Sequence, residues 1–160
     1  MGLITSETEI TTAIPAARLF KAFVTDGDTL IPKIAPQAFK SFGILEGDGG
    51  PGTIKQIQMG EGVPSKNVKT RIDALDAEKF EYTYTLLEGD LLNEKIESIS
   101  YEVVFAPGTD GGTIAKIKTT YTTKGDEAPT EEELNKGKET GMAMFKVVEG
   151  YLQQNPDAYV

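Results

Sequence analysis

The sequence predicts an α+β fold in which one strongly curved antiparallel sheet grips a single long helix. Two features of the chain predict it. From residue 39 to residue 121, short segments with period-two alternation follow one another, each closed by a turn signal. From residue 130 the pattern changes to a helical stripe that runs without a break to Asn155-Pro156. At 160 residues, with 39% hydrophobic and 26% charged side chains, residues 1–160 read as one domain with a full core.

Residues 4–12 are rich in Thr and Ile and read as a first strand. IPAARLFKAF then turns helical, with Pro15 suited to the first helical position and Leu19, Phe20 and Phe23 on one face. Asp26-Gly27 breaks it, and residues 28–33 form a second short helix before Pro36. A strand over 39–46 opens the sheet proper. Five more follow, with one-face sets Thr53, Lys55, Ile57, Met59; Val68, Thr70, Ile72, Ala74; Phe80, Tyr82, Tyr84, Leu86; Ile99, Tyr101, Val103, Phe105; and Ala115, Ile117, Thr119, Tyr121. Leu75-Asp76-Ala77, Glu88-Gly89-Asp90 and Asp110-Gly111-Gly112 are the turns between them. Thr130 and Glu133 make a capping box for the last helix, whose stripe is Leu134, Gly141, Phe145, Val148 and Leu152. At the standard rise such a helix is roughly 37 Å long, and its stripe has one destination, the inner face of the sheet. Gly137 and Gly141 within it either allow close packing or leave room inside.

Charge and composition narrow the function. Sixteen basic against 25 acidic residues give a net charge of −9, unsuited to nucleic acid or an anionic membrane surface. Cysteine and histidine are both absent, which removes disulfides, thiol chemistry, the commonest general base and a zinc site; no metal or cofactor is expected. MGLITSETEI has no basic stretch and no long apolar run, so neither a secretory signal nor a membrane-spanning helix is expected. It matches the M-G-x-x-x-[ST] acylation pattern through Gly2 and Ser6, although an early first strand accounts for the same residues.

The inner face carries polar groups. Lys55 shares its face with Ile57 and Met59, so its ammonium either meets a carboxylate, water or ligand inside or reaches the rim. Tyr82, Tyr84 and Tyr101 also point inward, either as core tyrosines bonded to backbone or as polar fixing points of an apolar pocket. The stretch GDGGPGT fits G-x-G-x-x-G through Gly47, Gly49 and Gly52. A strand follows it where a phosphate loop needs a helix, and Glu46 and Asp48 add negative charge. With Gly50, these glycines read as a sharp turn between strands.

IPAARLFKAF, PKIAPQAF, EGDGGPGTIK, FEYTYTLLEGD, EKIESISYE, the KGD at Lys124 and the closing NPDAY resemble the pathogenesis-related class-10 proteins of plants, the family of the major birch pollen allergen, over the whole chain. The resemblance implies a helix-grip fold: a seven-stranded curved antiparallel sheet around the C-terminal helix, two short helices, and an internal hydrophobic cavity. It implies a cytoplasmic plant defence or stress protein that binds amphipathic molecules such as flavonoids, cytokinins or brassinosteroid-like phytohormones, as a monomer or weak dimer. The family's ligand-contact positions fall on Lys55, Tyr82, Tyr84 and Tyr101, and the candidate ligand-binding set adds Phe23, Asp28, Phe39, Ile57, Met59, Lys138, Met142 and Phe145. Two departures make the mouth more polar than in many members: TTKG at residues 122–125 where HTKG is frequent, and Asn67 or Ser65 where an aromatic is frequent.

Three functions compete. The first is a non-enzymatic carrier or store. The second is an enzyme. A ribonuclease would use the family positions Glu97, Glu149 and Tyr151, but it would lack histidine and repel RNA. A condensing enzyme of alkaloid or phenylpropanoid synthesis would use Lys55, for which no matching catalytic set is present. The third is an abscisic-acid-type receptor that inhibits a phosphatase; its gating sequences Ser-Gly-Leu-Pro-Ala and His-Arg-Leu do not occur.

Overall fold

A computed structural model describes residues 2–61, 67–89, 92, 94–125 and 129–160, with the backbone alone described at 109, 136, 137, 140 and 141. Strand β1 (Leu3–Thr12) leads through Pro15 into α1 (Ala16–Phe20), a π-helical turn (Lys21–Thr25) and α2 (Gly27–Ile34). Six strands follow: β2 (Phe39–Glu46), β3 (Ile54–Met59), β4 (Val68–Asp76), β5 (Glu81–Glu88), β6 (Ile96–Pro107) and β7 (Thr113–Thr123). Helix α3 (Glu131–Gln154) closes the chain. All seven strands form one antiparallel sheet in the order β1-β7-β6-β5-β4-β3-β2, so β1 returns beside β7 and leaves β1 and β2 at the edges.

The alternation holds along most of the sheet. On β7, Thr113, Ala115, Thr119, Tyr121 and Thr123 are buried, and on β6, Ile99 and Phe105. The expected capping box at the head of α3 is present, with Thr130 Oγ1 accepting from the Glu133 amide and the Glu133 carboxylate accepting from the Thr130 amide. Phe145, Val148 and Leu152 of α3 are buried in the principal core with Ile10, Leu19, Phe20, Leu30 and Phe105. Leu134, three turns earlier, packs on a second cluster of Leu86, Ile96, Ile99 and Tyr121. The helix therefore bridges two cores.

Four local expectations are corrected. Ala74 does not share the inward face of Ile72: a register shift between Ile72 and Ala74 inserts Asp73, so Ala74 is exposed and Leu75 packs inward. The same strand runs on through Leu75 and Asp76, and its turn occupies residues 77–80. Phe80 precedes β5 rather than belonging to it, in a left-handed conformation (φ 57°), yet its ring still packs against the core at 5.7 Å from that of Phe20. Pro15 precedes α1 as its cap, and the stripe of Leu19, Phe20 and Phe23 continues through a π turn rather than an α-helix. The second short helix is present with Pro32 inside it. Of the expected turn 88–90, Asp90 lies outside the described residues, as do the surroundings of Gly137 and Gly141.

Candidate functional site

The glycine loop is a strand connection. Gly47, Gly49 and Gly52 have φ of 98°, 100° and 91°, angles that side chains with a Cβ rarely adopt. At Gly47 a Cβ would also lie 2.6 Å from Thr53 Oγ1 and 2.8 Å from Thr53 Cα. The loop amides are turned to the protein: Gly49 N donates to Thr53 Oγ1 and Gly50 N to Asp48 Oδ1. Gly52 N donates to Ile72 O and Thr53 N to Gly50 O. A phosphate cradle needs such amides convergent and available; these four already have acceptors.

Two residues beyond the loop, Lys55 enters the interior. Its Nζ donates to Asp28 Oδ1 at 2.9 Å, with the lysine side chain 11% exposed and that of Asp28 36%. Of the alternatives the alternation left open, the carboxylate is the partner. The pair joins β3 to the first turn of α2.

Beside it lies a cavity of about 180 Å³, more than ten times the ~10–15 Å³ that holds one water. The sheet contributes Lys55, Ile57, Thr70, Tyr82, Tyr84, Tyr101, Val103, Phe105, Ile117, Thr119 and Tyr121, with Thr8 from β1 and Phe39 and Phe42 from β2. The π turn and α2 contribute Phe23, Val24, Gly27, Asp28 and Ile31, and α3 contributes Lys138, Met142, Met144 and Phe145. Phe23 stacks on Phe145 with centroids 5.8 Å apart, which ties the π turn to α3. Lys138 and Met142 are exposed as well as lining, and so mark an opening.

Tyrosines form the polar side of the cavity. Tyr84 and Tyr101 are direct cross-strand partners on β5 and β6 and stack at 4.8 Å; Tyr82 lies 5.1 Å from Tyr84. Burial pushes the ionisation of all three hydroxyls well above the ordinary tyrosine value. The charges of Asp28 and Asp73 add to this at Tyr82, and neighbouring tyrosines do so at Tyr84 and Tyr101. They are neutral donors at any physiological pH. Among the described residues none of the three hydroxyls has a protein hydrogen-bond partner, and no side-chain polar atom is fully buried without one. The hydroxyls therefore adjoin open space, and are not core tyrosines bonded to backbone.

Eleven of the twelve candidate ligand-binding residues line this one cavity, and the twelfth, Met59, does not. Met59 is the last residue of β3 and pairs with Phe39, which does line the space. Alternation had singled out Thr70, Ile117, Thr119 and Tyr121 as inward, but nothing local marked them as lining. Thr8 and Val24 carried no signal. The ribonuclease positions do not converge. Glu97 is exposed beside Ile96 of the second cluster, which packs on Leu134, whereas Glu149 and Tyr151 stand fifteen or more residues further along α3, over 20 Å at the helical rise. None of the three lines the cavity. Asn67 is exposed and does not line it either; Ser65 lies outside the described residues. In the TTKG segment Thr123 Oγ1 donates to Gly2 O or Gly125 O and accepts from Gly2 N, which ties the start of β1 to the end of β7.

A sheet wrapped on one long helix, with an apolar cavity edged by tyrosines between them, defines a helix-grip protein. The chain belongs to the pathogenesis-related protein Bet v 1 family, whose model matches residues 1–155. The major strawberry allergen Fra a 1-2 of Fragaria ananassa is 54% identical to it over 159 residues, 99% of either chain. The crystal structure of Ara h 8.0201 superposes with a TM-score of 0.86 at 39% identity, covering 96% of this chain and 99% of that one. Norcoclaurine synthase from Thalictrum flavum, in complex with dopamine and hydroxybenzaldehyde, superposes with a TM-score of 0.72 at 19% identity over 96% of this chain and 88% of its own. That likeness is one of fold. No helix among the described residues is long and apolar enough to cross a membrane.

Proposed function

We propose that this protein binds one amphipathic, ring-containing small molecule in the cavity and acts as its carrier or store in the cytoplasm of a plant under defence or stress. Flavonoids and phytohormones of the cytokinin and brassinosteroid kind have the matching chemistry. The observation that carries the reading is that the hydroxyls of Tyr82, Tyr84 and Tyr101, which have no hydrogen-bond partner among the described residues, face an apolar space beside the Lys55–Asp28 pair. Apolar walls supply affinity at ~25 cal/mol per Å² of ligand surface removed from water, and the few polar groups orient it. A catalytic reading lacks an equivalent: the cavity lysine is already engaged by Asp28, and the carboxylates at the ribonuclease positions lie elsewhere.

Native mass spectrometry and fluorescence titration with the flavonoid quercetin test the reading. The expected result is one unmodified molecule per chain. Lys55→Met should weaken binding about tenfold, the order expected when a hydrogen bond from a charged donor is lost. Failure of the wild-type protein to bind quercetin, the cytokinin zeatin or a brassinosteroid would sink the carrier reading. Conversion of a bound ligand to a new mass would favour an enzyme.

A further inference from the structure

The C-terminal tail is fastened to the wall of the cavity. Arg18 of α1 donates from Nη2 to Leu152 O at 2.7 Å and to Asn155 O, and from Nε to Ala158 O at 2.7 Å. Leu152 O is one of the carbonyls that a helix end leaves without an intrahelical partner. Further along, the Tyr159 hydroxyl donates to the Asp26 carboxylate. Ala158 and Tyr159 both pack against the principal core. Tyr159 also has φ 60°, a left-handed conformation that a bulky residue keeps only where its surroundings hold it.

The two anchor points bracket one stretch of chain. Arg18 precedes the π turn of residues 21–25 and Asp26 follows it, its amide closing the turn on Lys21 O at 2.8 Å. Asp26 stands at the cap of α2, but its carboxylate makes no capping bond there and goes to Tyr159 instead. A π turn is a rare geometry, found mostly as single turns and frequently at functional sites. This turn and the head of α2 supply Phe23, Val24, Gly27, Asp28 and Ile31 to the cavity.

We propose that residues 155–159 are a latch on the cavity wall formed by residues 21–31. Closed, the Arg18 and Asp26 bonds pin both ends of the π turn and hold Phe23 against Phe145. Released, the π turn and α2 move away from α3 and open that side of the cavity. The proposed consequence, control of ligand exchange, rests on the binding reading; the motion itself is measurable without a ligand.

Hydrogen–deuterium exchange of the full-length protein, with no ligand added, reads the latch directly. Tyr159→Phe keeps the ring in the core and removes one bond; Arg18→Met removes three. The expected result is faster exchange across residues 21–31 in both variants, about tenfold for Tyr159→Phe, with β5 and β6 unchanged. Stopped-flow mixing with the fluorescent probe anilinonaphthalene sulfonate should show association and release both accelerated. Unchanged exchange at 21–31 in both variants overturns the proposal, as does a uniform rise over the whole sheet, which would mark the tail as general support. Local exchange that rises while probe rates stay at wild-type values overturns the gating role. Local exchange that rises in a protein that binds no probe, wild type included, supports the latch and counts against the binding reading instead.

Discussion

Tyr82, Tyr84 and Tyr101 make alkaline pH a sensitive condition for this protein. Burial is the largest cause of their raised ionisation, and Tyr121 is raised by burial too. Tyr159 is pushed up to about 12 from 10.0, first by burial and then by the hydrogen bond to Asp26. An unfolded tyrosine ionises near pH 10. A group whose folded value lies above its unfolded value contributes stability in full below the unfolded value, and that contribution is lost as pH rises. The phenols therefore contribute in full at neutral pH, and that contribution falls as pH rises above 10, with the share of Tyr159 lost as pH passes about 12. Urea denaturation followed across this range should give falling stability. The triple variant Tyr82→Phe, Tyr84→Phe, Tyr101→Phe should show a shallower fall. Equal slopes in the two proteins would mean that these hydroxyls ionise as freely as exposed ones.

At the scale of elements, the head of α3 is held by its own side chains. Thr130→Ala removes the acceptor for the Glu133 amide, and caps of this kind contribute ~1 kcal/mol. The expected outcome is a loss of about that size in urea, with faster amide exchange confined to the first turn of α3; an unchanged midpoint would show the box to be dispensable. This cap was legible in the sequence because it is local: four residues contain the whole device. So were β3 and β7, whose inward residues alternate without interruption. The outcome differs on β4, where Asp73 is squeezed out between Ile72 and Ala74. A bulge of this kind is set by the register of β5 and β3 on either side, and nothing in KNVKTRIDAL records it. The π turn escaped for a related reason, since one extra residue in a turn barely alters the spacing of Leu19, Phe20 and Phe23. The cavity lies between these cases. Alternation places eleven of its residues on inward faces, and the candidate ligand-binding set adds six more. Neither could find Thr8 or Val24, which adjoin the space through the folding of the chain around it.

For the molecule as a whole, the decisive property is that α3 bridges two packed clusters without filling the space beside it. A tightly filled interior resists enlargement: adding a ring where density is already that of a crystal costs ~1–3 kcal/mol or more. An interior with about 180 Å³ of open volume does not resist it at the positions that face the opening. Val103 and Val148 separate the two conditions within one protein. Val103 lines the cavity from β6, whereas Val148 of α3 is fully buried in the principal core and does not line it. Val103→Phe should therefore leave stability unchanged or raise it slightly, because the added ring gains apolar contact in free space. Val148→Phe should lose at least ~1–3 kcal/mol. The same Val103→Phe ring should weaken quercetin binding by occupying the space the ligand needs, so stability and affinity move in opposite directions. Chemical denaturation and titration of the two variants side by side measure both. Equal destabilisation by the two substitutions would mean that the volume beside α3 closes in solution, and the binding proposal would then lose its physical basis.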